Sequence, residues 1–314
     1  MYYAPIIVTV YDRLEHFRQC IESLKCNSPA TESELYVVSD APAKPAHAPR
    51  IEHVRDYARA ITGFKGVHLI FREENYGAHR SFLAITKQVL DAHERFIFLE
   101  DDVVVSSNFL AYMNGGLNFY EKDPRIFSIS AYTHPMRLPK HFSADVFALP
   151  SNCPWGFATW KNRWDQVDFG NKDRFALAMR DRQLLKKLIS TGTYMINVMQ
   201  SDSMGRIQAP DVRVAFHQFE RDIYTIFPRI SKTRNIGLDG SGLHSSKDVN
   251  QKYHVQLDTT GSDIVYEENI RLNPAIIRCL RRFQNGSFFQ SLAGRMRLLK
   301  KQIIYRLGEK YTSL

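Results

Sequence analysis

The sequence contains no run of about eighteen apolar residues, so no segment reads as a membrane-spanning helix. Its start runs directly into an apolar strand, with no basic stretch and no small-residue cleavage site, and no secretory signal is expected. Cysteine is scarce. Cys20, Cys26, Cys153 and Cys279 are scattered without paired zinc spacing, which predicts free thiols in a reducing, cytoplasmic setting. Internal repeats and low-complexity linkers are missing as well, so most of the chain is expected to form one domain. Acidic residues are nearly absent from one region only. Between Ala275 and Leu314 nine Arg and Lys face a single acid, Glu309, so this tail carries +8 of the net +9 and the rest is close to neutral. No recognition motif accompanies the basic tail, and no nucleic-acid partner is expected.

What is present is a regular alternation. Pro5–Val10 reads as a buried strand, and Leu14–Leu24 as a helix with Leu14, Phe17, Ile21 and Leu24 on one face. Glu34–Ser39 is a second strand, ending at Asp40, and the proline-rich Ala41–Arg50 a loop. A helix over Val54–Ile61, a strand over Val67–Phe71, a helix over Ala78–Ala92 and a strand over Phe96–Leu99 follow. This pattern predicts an α/β fold with a mainly parallel sheet and helices on both faces, whose ligands bind beyond the carboxyl ends of the strands. Past residue 130 the rhythm loosens into short strands, a Trp-rich segment and a helical Leu184–Ile189. The division expected is a domain over 1–265, with a nucleotide-binding half (1–102) and an acceptor and catalytic half (103–265), followed by a basic helical tail over 266–314.

The strongest chemical signal is Glu100-Asp101-Asp102 at the end of an apolar strand. Three adjacent carboxylates repel one another, and a hard cation, Mn²⁺ or Mg²⁺, completed by diphosphate oxygens relieves that. An acidic turn or the first turn of a helix reads the same way in sequence. Further on, Trp155, Trp160 and Trp164 fall within ten positions. Aromatic faces pack on sugar rings and Gly156 permits close backbone approach, which selects Trp155 and Gly156 as site candidates. Trp160 and Trp164, four apart, read as core residues on one helix face.

Four blocks resemble the nucleotide-sugar glycosyltransferases of the GT-A (Rossmann-like) fold, in particular the inverting N-acetylglucosaminyltransferase I group and related bacterial polysaccharide transferases. They are Ile6–Leu24, Leu35–Asp40, Phe96–Tyr132 and Pro210–Ser245, and the resemblance covers about residues 4–250. It implies a metal-dependent enzyme, a hexosyl- or N-acetylhexosaminyltransferase of polysaccharide or glycolipid synthesis, that moves a sugar from a UDP-sugar to an acceptor hydroxyl. Asp102 is then the direct metal ligand within the triplet, with Glu100 and Asp101 beside the donor. Asp12 and Arg13 contact the nucleotide, Asp40 reads the uracil, and Arg80 reaches the diphosphate. The general base implied is Asp211, with Asp202 in reserve. His244, in the glycine-rich loop Asn235–His244 expected to order over the donor, approaches the metal or diphosphate. Each assignment has a plainer rival: an ion pair for Arg13, a turn cap for Asp40, a turn at Asn75-Tyr76-Gly77, a helix cap for Asp211 and a solvated His244.

In the tail, Ile276, Ile277, Leu280 and Phe283, then Leu292, Met296, Leu299, Ile303 and Leu307, recur at helical spacing among arginines and lysines. That suits an in-plane helix on an anionic membrane, and so a peripheral enzyme with a saccharide or lipid-linked saccharide acceptor. Packing on the chain's own domain or on a second subunit is the alternative. Two other functions remain open at this point. A sugar-phosphate nucleotidyltransferase normally has a glycine-rich loop where this chain has Tyr11-Asp12-Arg13-Leu14. The other is a non-catalytic nucleotide-sugar-binding protein on the same scaffold.

Overall fold

A computed structural model describes residues 2–241, 252–286 and 288–306. The elements run β1 (Ile6–Val10), α1 (Leu14–Lys25), β2 (Glu34–Ser39), α2 (Ala48–Arg59), β3 (Gly66–Phe71), α3 (Gly77–Leu90), β4 (Arg95–Glu100), β5 (Val103–Val105) and α4 (Phe109–Phe119). After them come β6 (Ile126–Ser130), β7 (Val146–Leu149), β8 (Phe157–Trp160), α5 (Lys161–Trp164), α6 (Arg174–Arg180), α7 (Arg182–Leu188), α8 (Tyr194–Ser203) and α9 (Pro210–Arg221). The last are β9 (Tyr224–Pro228), β10 (Thr233–Asn235), α10 (Pro274–Asn285) and α11 (Phe288–Arg306).

Eight strands form one mixed sheet in the order β3-β2-β1-β4-β8-β6-β9-β7. The first four are mutually parallel. Strand β8 then enters antiparallel between β4 and β6, β9 runs parallel to β6, and β7 closes the edge antiparallel to β9. The α/β fold and mainly parallel sheet expected from the sequence are therefore present, with the antiparallel pairings confined to the later strands. Strand alternation divides the core. Ile6, Val8, Leu35, Val37, Ile97 and Leu99 point to one face, toward Phe17, Ile21 and Leu24 of α1. Ile7, Val38, Phe96 and Phe98 point to the other, toward Phe82, Ile85 and Val89 of α3. Both faces of the central strands β1 and β4 are covered by helices, which is why these two are mostly apolar rather than alternating, whereas the edge strand β3 keeps exposed positions.

Three local expectations need correction. Helix α2 begins at Ala48, shortening the loop, because Pro49 sits in a first turn where its missing N–H costs nothing. Trp160 ends strand β8 while Trp164 ends α5, so the two do not share a helix face, though both are buried. In the tail, Ile276 and Leu280 of α10 pack fully buried against Tyr132, Phe147 and Phe227, so α10 spends its apolar face inside the protein. Leu298 of α11 joins a second core made by α6 to α9.

Candidate active site

The site lies where β1, β2, β3 and β4 end. Strand β4 delivers Glu100, and the turn beyond it holds Asp101 and Asp102, both buried. From the end of β1, one Nη2 of Arg13 donates to Asp101 Oδ1 at 2.6 Å and to Asp102 Oδ2 at 2.8 Å. The other oxygen of Asp102 accepts from Asn235 Nδ2 at 3.0 Å, and its carbonyl accepts from the Ile236 N–H at 2.8 Å. Strand β10 pairs antiparallel with β5, Asn235 opposite Val103, and this pairing brings Asn235 to the triplet. Gly237 presses so closely over the carboxylate that a Cβ there would lie 1.9 Å from Asp102 Oδ2 and 2.7 Å from Arg13 Nη1. A buried anchor holds this segment. Lys232 forms an ion pair with Asp258, both side chains being almost fully buried, and its backbone bridges Ala131 and Ser106.

Burial pushes the Glu100 carboxyl well above the ordinary carboxylate range, and the neighbouring Asp102 and Asp101 push the same way. Asp101 is lifted by burial to about 6, with Arg13 working against the rise. Two polar atoms at this point, Arg13 Nη1 and Asp101 Oδ2, are buried without a hydrogen-bond partner. Such atoms are costly unless something binds there. The acids outnumber the one arginine, an excess that a divalent cation with a single protein ligand and diphosphate oxygens would fit. Among the described residues no group of three or more His, Cys, Asp and Glu is arranged to hold a metal by itself.

Asp211 is half-buried in the first turn of α9. Burial pushes its pKa up. It is close enough to act electrostatically on Glu100, on Cys153 and on Tyr194. Asp202, the reserve candidate, is held locally: its two oxygens accept a bidentate pair from Arg213 at 2.8 and 2.9 Å, and the Ala209 N–H as well. Trp155 is half-buried and stands edge-on to Tyr132 and Tyr253, with ring centroids 4.8 and 5.7 Å away.

Other candidates are occupied locally. Asp12 forms an ion pair with Arg50 at 2.7 Å. Asp40 accepts from three backbone N–H groups, those of Ala41, Tyr76 and Gly77, the Tyr76 N–H shared between its two oxygens, so this residue ties β2 to the start of α3. Gly156 has φ +98° and a Cβ there would lie 2.9 Å from Thr233 Cγ2; close packing, not ligand approach, accounts for this glycine. Arg80 stacks on the Tyr76 ring at 3.8 Å, and Arg72 stands over the same ring at 4.7 Å. The segment expected as a mobile lid is pinned at Asn235–Gly237, and His244 lies outside the described residues. Asn235 and Gly237 were legible only as part of a glycine-rich loop and not as partners of Asp102; Arg72 escaped the sequence reading, although it follows β3 and was accessible to the carboxyl-end rule, and its Nε and Nη2 are buried without a hydrogen-bond partner.

An acidic strand end with a neighbouring arginine thus stands at the carboxyl edge of the parallel strands, where such sheets bind ligands. Residues 6–180 match the family model Glycosyl transferase family 2. The chain belongs to glycosyl transferase family 2, whose members transfer sugar from a nucleotide-sugar donor, and the nucleotidyltransferase and non-catalytic readings fall away with that assignment. No curated protein matches the sequence. Among solved structures, the chain is similar to mannosyltransferase PcManGT from Pyrobaculum calidifontis in complex with GDP-Man and Mn²⁺, at 12% identity over 68% of each chain with a TM-score of 0.40. It is also similar to S. aureus TarS, at 16% identity over 50% of this chain and 28% of that one with a TM-score of 0.34. For TarS residues 1–349 the values are 15%, 50%, 47% and 0.36. The chain thus spans less than half the length of either TarS structure.

Proposed function

We propose that this protein is an inverting transferase that moves a hexosyl or N-acetylhexosaminyl group from a UDP-sugar to an acceptor hydroxyl, with Asp211 as general base. The observation that supports the reading is that Asp211, a half-buried carboxyl outside the acidic triplet, helps by its charge to raise the Glu100 pKa. A base must be distinct from the groups that hold the leaving diphosphate, and must face them across the reacting carbon. Asp211 takes the acceptor proton as the hydroxyl oxygen bonds to the anomeric carbon. The bond from that carbon to the diphosphate oxygen breaks, and its electron pair leaves with the diphosphate. Arg13 Nη1, buried and unpartnered, is placed to donate to a phosphate oxygen. A Mn²⁺ or Mg²⁺ held by Asp102 would supply further charge stabilisation to the leaving group. Trp155 offers an aromatic face to a sugar ring.

With Asp40 tied to backbone donors, the support for uracil over guanine or thymine is the sequence likeness alone. Donor binding tests this directly, by calorimetry with UDP-, GDP- and dTDP-sugars, with and without Mn²⁺, on the native protein and Asp102→Ala. Metal-dependent binding of UDP-sugar alone, lost in the variant, is expected. Asp211→Asn should keep donor binding and lose roughly 10²–10⁴-fold in transfer rate. Transfer at near-native rate by Asp211→Asn would remove it as the base.

A further inference from the structure

Helix α11 has two faces with opposite fates. On one, Leu298 is buried in the core of α6 to α9, and Gly294 packs so tightly on α8 that a Cβ would lie 2.5 Å from Thr193 Oγ1. Lys301 Nζ donates to Asn197 Oδ1 at 2.7 Å on the same side. These contacts fix the rotation of the helix. On the other face, Leu292, Met296, Leu299 and Ile303 form a stripe at i, i+4, i+7 and i+11, exposed by 48, 61, 51 and 49%. Arg295, Arg297 and Lys300 are exposed around it. Helices α10 and α11 together carry eight Arg and Lys and no acid.

We propose that the outer face of α11 is a docking surface for an anionic lipid bilayer, with the helix lying in the plane of the membrane. Four large apolar side chains in line on a solvent face are unfavourable in water, and a bilayer interior accepts them without hydrogen-bonding demands. The surrounding cations favour anionic headgroups, each contributing about fivefold in partitioning when close to the surface. A cationic rim without acids is a poor match for a second copy of itself, because apposed α11 helices would repel. No helix among the described residues is long and apolar enough to cross a membrane, so the contact would be lateral.

The test is co-sedimentation of the full chain with vesicles of phosphatidylcholine alone and of phosphatidylcholine mixed with phosphatidylglycerol, with no donor present. Binding to the anionic vesicles only is expected, weakened by high salt. The double variant Met296→Glu/Leu299→Glu should lose on the order of tenfold or more in partitioning. Because both positions are exposed, its thermal midpoint should be unchanged; Met296→Gln/Leu299→Gln, expected to be weakened without added negative charge, separates lost apolar burial from charge repulsion. No partitioning into anionic vesicles, or equal partitioning by the native protein and both variants, overturns the proposal. So does a native dimer in sedimentation that the double variant converts to monomer without any vesicle binding.

Discussion

Gly237 is the most sensitive position at the acidic end of the sheet. An alanine there puts a methyl group 1.9 Å from Asp102 Oδ2, 2.6 Å from its Cγ and 2.7 Å from Arg13 Nη1. Ordinary contact lies near 3.5 Å, so a displacement of roughly 1–1.5 Å must be shared between the loop and the ion pair. Overpacking of this size costs about 1–3 kcal/mol in stability. The larger effect falls on function, since misplacing a group by about 1 Å at a reacting centre costs on the order of 10²-fold. Gly237→Ala is thus expected to stay folded at 25 °C while losing metal-dependent donor binding and most transfer. Urea unfolding and donor calorimetry separate the two effects. Gly66→Ala is the control, because a Cβ there meets only His68 Nε2 at 3.6 Å, and it should bind donor normally. If Gly237→Ala binds donor and turns over within about twofold of native, Asp102 does not need its present geometry and the argument for it as the metal-holding acid fails.

Charge and burial set four further expectations. Burial raises the Asp211 pKa, so the acid limb of kcat/KM should lie above the ordinary carboxylate range, with activity lost as pH falls through it. The same shift means that ionised Asp211 costs stability at neutral pH, so Asp211→Asn should raise the thermal midpoint while removing transfer; an unchanged or lower midpoint contradicts this. Lys232→Met leaves Asp258 buried and unpaired, at a cost of about 3–5 kcal/mol in urea unfolding. Although burial alone would raise the Asp258 pKa, Lys232 and Thr260 hold it at about 2, so its native contribution persists until strongly acid pH. His217 is pushed down to about 4, chiefly by burial and then by Arg221. Its folded value lies below its unfolded one, so stability should be full above pH ~6.5 and decline toward pH 4, by up to about 3 kcal/mol; His217→Gln should flatten that decline in thermal melts across pH.

The four parallel strands were legible because each is a short apolar run that emerges at a polar residue, with helical spacing between. Their ends at Arg13, Asp40 and Glu100 follow from the same pattern. The later strands β7 and β8 are four residues each, too short for periodicity to separate them from turns. Side-chain chemistry was legible where the partner is close in sequence, and illegible where the fold supplies it from afar. Asp40 and Asp202 look like reactive acids in sequence, yet their oxygens accept from backbone and arginine donors. Gly156 read as allowing close approach to a ligand and Gly237 as part of a flexible loop; the structure gives instead a packing constraint against Thr233 and a close approach to Asp102. Asn235 meets Asp102 across 133 positions, a contact that no local pattern records.

That separation has a consequence for synthesis. The parallel half of the sheet and its acidic end are made early, but the amide that steadies Asp102 and the lysine that anchors its strand leave the ribosome more than a hundred residues later. A nascent chain stopped before Lys232 can pair β1 to β4 and still lacks the clasp over its working end. Competence for transfer is therefore a late event, expected only after the segment carrying Asp258 has emerged to lock β10 in place.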